Sequence, residues 1–187
     1  MSKKIVFITD YKDMLKIGHN ADYPLDATYV QMRNIKFPMF NSALIPIGSE
    51  TEPFTGTFDG NGFKIVDLFI NSFNQDYFAM FGYVAKDSLL KNIKLVNPTI
   101  VGRYFSASLC VYNFGTIIDC EIVDAKISGI EFVSGLVCLN FGCIKNCRVS
   151  GSILCRNNAY ELVGKFGDTS KIQNCLSNLK IVGSTVC

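Results

Sequence analysis

Three of the eight cysteines, Cys120, Cys147 and Cys175, fall 27 and 28 residues apart, each directly after an Asp or Asn. A matched row of thiols could serve as disulfide partners, zinc ligands or nucleophiles. The phrase around them recurs five times, as Ile65-Val-Asp67-Leu-Phe-Ile70, Leu90-Lys-Asn92-Ile-Lys-Leu95, Ile117-Ile-Asp119-Cys-Glu-Ile122, Ile144-Lys-Asn146-Cys-Arg-Val149 and Ile172-Gln-Asn174-Cys-Leu-Ser177. In the first two copies the cysteine position holds Leu68 and Ile93, so Cys substitutes there for a buried aliphatic. Buried free thiols are therefore expected rather than disulfides. A zinc centre is disfavoured by the lack of a Cys-x-x-Cys knuckle and by a single histidine. Cys143 and Cys147 could pair, but no matching second pair exists.

The carboxylates offer little more. Asp67 and Asp119 are separated in the series by Asn92, which breaks up an acid pair on one face, so the Asp/Asn row is read as a row of corners. Asp59-Gly60-Asn61-Gly62 is read as a tight turn, since an EF-hand needs more carboxylates and a terminal Glu. His19, in Gly18-His19-Asn20-Ala21-Asp22, has no nucleophile beside it and is expected to face solvent. No phosphate-cradling Gly-x-x-x-x-Gly-Lys is present. No catalytic residue, metal ligand or cofactor is assigned.

What must position these residues is a stack. The Asp/Asn steps are 25, 27, 27 and 28 residues, a period that signals a repeat architecture. A second phrase interleaves with it: Ala79-Met-Phe-Gly82, Ser108-Leu-Cys-Val111, Gly135-Leu-Val-Cys138 and Glu161-Leu-Val-Gly164. Each unit thus holds short apolar strands that can bury a face only against neighbouring units. Leu90, Ile93 and Leu95 cannot all point inward from one straight strand, and a left-handed bend at Asn92 reconciles them. The chain is expected to be all-β, a right-handed parallel β-helix of about five coils with a short N-terminal helical cap. Five coils would make a rod on the order of 24 Å long. Residues 1–44 read as the cap and 45–187 as the repeats. Asp10 starts a short helix with Met14, Leu15 and Ile17 inward, ending near Gly18, and Tyr29, Met32 and Ile35 form a cap strand.

The first coil carries Ile45-Pro46-Ile47-Gly48, then Phe54-Thr55-Gly56-Thr57-Phe58-Asp59-Gly60-Asn61-Gly62 and Lys64-Ile65. In these residues the chain resembles the GLUG-motif repeats of bacterial surface proteins and of immunoglobulin A protease accessory regions. The resemblance implies a right-handed β-solenoid used as scaffold or adhesive, with no catalytic residues. The motif's last glycine is kept at Gly82 and Gly164 but replaced by Val111 and Cys138.

Apolar residues make up 49% of the chain and charged ones 18%, with a net charge of +2 and no basic or acidic run. This balance argues against nucleic-acid binding. No stretch is long enough for a membrane helix, and the apolar run Ile5–Ile8 is too short for a secretion signal. A cytoplasmic location and no membrane partner are expected. Phe105 and Phe132, and Phe114 and Phe141, repeat at 27 residues; stacked on the outside they could bind sugar or protein, but ring area favours the core. Tyr77, Tyr83, Tyr104, Tyr112 and Tyr160 suit a contact surface. The outward column Phe69, Lys94, Glu121, Arg148, Leu176 mixes charge signs and fits a contact or solvated face rather than a catalytic groove. The last residues, through Val186, still read as strand, so the C-terminal coil is expected to pair with a second copy or another protein. The candidate interface is Tyr77, Tyr83, Tyr104, Lys94, Glu121, Arg148 and Val186. The sequence thus favours a non-enzymatic intracellular protein-binding solenoid, of a kind suited to a phage or mobile element inhibiting a host protein. A carbohydrate-binding surface module and a polysaccharide-active enzyme are the alternatives.

Overall fold

A computed structural model describes residues 3–38, 44–71 and 76–183. Short apolar strands separated by bends stack in parallel register into three sheets. The first sheet runs Ile5–Ile8, Thr28–Gln31, Thr57–Asp59, Leu89–Lys91, Thr116–Ile118, Cys143–Lys145 and Lys171–Gln173. The second passes from Ile35–Lys36 through Lys64–Val66, Lys94–Val96, Glu121–Ser134 and Arg148–Tyr160 to Leu176–Val182. The third holds Phe81–Val84, Cys110–Asn113, Val137–Asn140 and Val163–Phe166. The result is a parallel β-solenoid of about 6 turns, one more than the repeat count suggests. The extra turn comes from Ile5–Ile8 and Thr28–Gln31. The sequence reading assigned these strands to a cap, but they pair in register with each other and then with Thr57–Asp59.

Side chains stack by register into inward columns. Tyr29, Phe58, Leu90, Ile117 and Ile144 are fully buried one above the next. Ile172 continues the column on the last strand, half-buried. Ile35, Ile65, Leu95, Ile122 and Val149 form a second buried column. Each position is apolar because a parallel stack exposes it to neither solvent nor a polar partner.

The helix spans Tyr11–Lys16 and starts as the sequence suggests. Asp10 caps it, accepting from the Lys12 and Asp13 amides, and Asp13 reaches back in a capping box. Asp13 is held well below the usual carboxylate range. Burial opposes its ionisation, but bonds from the Thr9 amide and hydroxyl, Lys16 and Tyr23 outweigh that. Met14 and Ile17 are buried beneath the helix. Met32, expected in a cap strand with Tyr29 and Ile35, lies just past the strand Thr28–Gln31, where Tyr29 and Gln31 take the inward sites, and is 45% exposed.

Asn92, Asp119, Asn146 and Asn174 all adopt left-handed backbone, with φ between 52° and 55°, which Asn and Asp tolerate best after Gly. They form the expected corner row. Asn146 donates to Asp119 at 2.9 Å and Asn174 to Asn146 at 3.3 Å. Asp67 does not belong to it. The register Asp59↔Lys91 places Gly60 opposite Asn92, and a Cβ on Gly60 would collide with the Asn92 carbonyl. Asp67 instead opens a second left-handed row with Asn97 and Asp124, at φ 54–57°. The phrase was assigned one corner early because the same pattern flanks both corners. Ile65-Val-Asp67, Leu95-Val-Asn97 and Ile122-Val-Asp124 are the true matches.

Candidate functional site

The strands after this second corner carry a layer of aromatic residues on the outside of the solenoid. Register sets Ala107 beside Ser134 and Tyr160, and Tyr104 beside Glu131 and Asn157. In the third sheet Phe81, Cys110, Val137 and Val163 align inward, which brings Gly82, Val111, Cys138 and Gly164 side by side. Ala79, Ala107, Val111, Cys138 and Leu139 make a small buried cluster separate from the main core, and Phe105, Tyr112, Phe132 and Phe141 pack over it. The two departures from the Gly-ending phrase, Val111 and Cys138, therefore form the floor beneath these rings.

The rings stack coil upon coil. Tyr77 lies on Phe105 at 5.1 Å and 12°, and Phe105 meets Phe132 at 4.9 Å. Phe132 in turn meets Tyr160 at 5.1 Å. Tyr83 stacks on Tyr112 at 4.3 Å and 12°, with Tyr77 5.9 Å from Tyr112. At the neighbouring Asn-Phe-Gly turns Phe114 stacks on Phe141 at 4.8 Å and 8°. Phe105, Phe132, Phe114 and Phe141 thus lie outside the core to which ring area assigned them. They are half-buried, except Phe114, which is 44% exposed. Inside those same turns the Asn residues are fully buried, Asn113 donating to Asn140 at 2.7 Å. Burial pushes the Tyr83 and Tyr112 phenols up, so both remain neutral donors.

Backbone conformation sets this layer apart. Tyr77, Phe105 and Phe132 have φ of 73°, 55° and 60°, as does Asn158 below them at 55°. An aromatic residue in the left-handed region is an outlier with a cost of about 1–2 kcal/mol, and the interlocked rings hold it there.

The predicted site residues divide between two surfaces. Tyr77 and Tyr83 meet at Tyr112 in the aromatic layer. Tyr104 is half-buried next to Phe105, its ring under Arg103 at 4.8 Å, and Arg103 is paired with Asp76 at 3.1 Å. Lys94, Glu121 and Arg148 stand in one column on the first segment of the second sheet, with Lys94 and Glu121 ion-paired. That column begins at Lys64, not Phe69, by the same one-corner shift, and ends at Leu176. Val186 lies outside the described residues. Sequence reasoning noted Phe105 and Phe132 but left them out of the candidate interface, and it missed the floor under them. Their only trace is the 27-residue spacing of aromatics together with the small residues at 79, 107 and 134.

Cys110, Cys120, Cys138, Cys147 and Cys155 are buried and, like Cys143 and Cys175, unpaired; Cys187 lies outside the described residues. Burial pushes the Cys110, Cys120 and Cys138 thiols up, which keeps them protonated and inert. His19 is exposed after the helix. Among the described residues no three His, Cys, Asp or Glu side chains gather as metal ligands would. No helix among them is long and apolar enough to cross a membrane.

No family model matches the chain. A protein of Evansella cellulosilytica named "Putative Gly-rich membrane protein" is 31% identical over 85 residues, 41% of this chain and 9% of its own length. The chain therefore corresponds to a small part of that much larger protein. A crystal structure from Bacteroides ovatus, described as "a putative immunoglobulin A1 protease", superposes with a TM-score of 0.65 at 13% identity. It covers 98% of this chain and 70% of the other. At that identity the likeness shows the β-solenoid fold alone.

Proposed function

We propose that the chain is a non-enzymatic protein-binding solenoid that docks a partner protein on its aromatic layer, as a member of the GLUG-type repeats. One observation carries this reading: the rings lie against one another, stacked in the Tyr77–Phe105 and Tyr83–Tyr112 pairs and tilted between Phe105 and Phe132. Phe105 has Tyr77 on one side and Phe132 on the other, and Tyr83 covers Tyr112. Sugar recognition by an aromatic residue uses an open ring face, whereas here stacking covers one face of each ring in the Tyr77–Phe105 and Tyr83–Tyr112 pairs. Edges and hydroxyls of Tyr suit the desolvated centre of a protein interface. Strained backbone at Tyr77, Phe105 and Phe132 supports a surface kept for its shape. Buried free thiols support a reducing, cytoplasmic setting.

A second reading is a surface-displayed adhesive module, which the word membrane in the name of the Evansella protein favours. Photo-crosslinking separates the two readings. Benzoylphenylalanine placed at Tyr112 is expected to crosslink one discrete protein from the native host lysate. The same probe at Lys94 should not, and the crosslink should vanish in a Tyr77→Ser/Tyr83→Ser background. Equal crosslinking from both positions, or saturable binding to a glycan array lost on Tyr112→Ser, would sink the protein-docking reading.

A further inference from the structure

A second surface, across the corner from the aromatic layer, has the features of a peptide groove. In the middle of the second sheet Ile100, Ile127 and Ile153 point inward and are buried. The residues on either side of them point out. One outward column is Asn71, Val101, Ser128, Leu154, Val182 and the other is Phe69, Thr99, Lys126, Ser152, Lys180. Two adjoining cavities of about 450 and 350 Å³ lie over these columns and share Ser128 and Leu154. Leu154 is 59% exposed and Val182 44%, an apolar floor left open to solvent.

Charge is one-sided here. Arg103, Lys126 and Arg156 line the two cavities and no Asp or Glu does. Arg103 is anchored by Asp76 and by the Tyr104 ring. Lys126 and Arg156 are exposed and enter no ion pair among the described residues. An apolar floor flanked by uncommitted cations complements a ligand that alternates carboxylates with an apolar side chain.

The groove crosses four stacked strands, three spacings, or roughly 14 Å, the length of about four residues of extended chain. It is open along its length, so it cannot enclose an acyl chain as a lipid site does. The backbone beneath is already hydrogen-bonded between coils, so recognition must come from side chains and not from an added strand.

We propose that this groove docks an extended acidic peptide segment of a partner protein, with an apolar side chain over Leu154 and carboxylates at Lys126 and Arg156. The site is independent of the aromatic layer, and each can fail without the other. The test uses the full chain and three fluorescein-labelled pentapeptides, Glu-Leu-Glu-Leu-Glu and its Gln and Lys counterparts, read by fluorescence anisotropy. Saturable binding of the acidic peptide alone is expected, weakened by raising salt. The Lys126→Glu/Arg156→Glu double variant should weaken it by about tenfold or more, as expected when two surface pairs become repulsions. Leu154→Ser should weaken it too, while Tyr112→Ser leaves it unchanged. Thermal melts of each variant check the fold, and Lys126→Gln/Arg156→Gln replaces the reversal should that variant melt early. The proposal is overturned by any of three results. These are no saturable binding of the acidic peptide, equal binding of the Gln peptide, or binding that survives both charge variants. Displacement of the acidic peptide by oleate at equimolar concentration would also overturn it, by reassigning the groove to a small amphiphile.

Discussion

The Asn/Asp corner row and the aromatic row both turn the chain through left-handed backbone, but with opposite residue types. At Asn92, Asp119, Asn146 and Asn174 the residue suits the conformation, and its side chain bonds to the coil beside it. At Tyr77, Phe105 and Phe132 the residue opposes the conformation, and ring stacking over a small apolar floor holds it in place. The first arrangement is what folding alone would select. The second accepts local strain to keep large rings on the surface, and strain of that kind is more often associated with recognition than with stability.

Substitutions at three positions probe how far that contrast holds. If pairing between coils is what fixes a turn, the fully buried pair should be the most costly to break. Asn113 donates to Asn140 and accepts from the Gly115 amide at 3.1 Å. Asn113→Ala strands both partners without water, and urea denaturation should show a loss of about 2–4 kcal/mol. A loss under ~1 kcal/mol would mean the pair is incidental. The aromatic row gives a sharper comparison at a single site. Phe132→Ala removes the ring and keeps the strain, for a loss of about 2–3 kcal/mol at a half-buried position. Phe132→Asn removes the ring but suits the backbone, as Asn158 does in the following coil, and should be about 1 kcal/mol more stable than the Ala variant. If the two variants melt together, the left-handed turn there carries no strain. The smallest effect belongs to the corner row. Asn146→Ala should cost about 1–2 kcal/mol, and Asn146→Gly about half that, because Gly keeps the turn and loses only the side-chain bonds.

The corners were legible in the sequence because Asn and Asp declare their tolerance of left-handed backbone wherever they recur. What could not be read was which corner a given phrase marks. Ile65-Val-Asp67 and Ile117-Ile-Asp119 have the same pattern of apolar, any, acidic, and they flank different bends, so the first copy was displaced by one corner. The inward columns were legible from alternation, as Tyr29 and Ile35 illustrate. The aromatic layer was not. Nothing local in Phe105 or Phe132 distinguishes a ring packed inward from one lying on an outer cluster. The deciding residues, Ala79, Ala107 and Cys138, become neighbours only through the stack. Half of the candidate site was therefore visible as tyrosines, and the half that supports them appeared only with the register.

One element joins the two surfaces. The strand Glu121–Ser134 runs for 14 residues through both Asp124 and Phe132, paired with the 13-residue strand Arg148–Tyr160 on each side of a register shift at Val123–Asp124. At the other bends a single amide bonds to the next coil, as Asn92 does to the Ile118 carbonyl and Asp119 to that of Lys145; here long paired strands hold the backbone on both sides of the turn. Lys126, Ser128, Phe132 and Leu154 thus stand on a frame whose rotational freedom was surrendered when the chain folded. A partner arriving at either surface has little order left to impose, so the entropic resistance to association falls mainly on the partner's own chain.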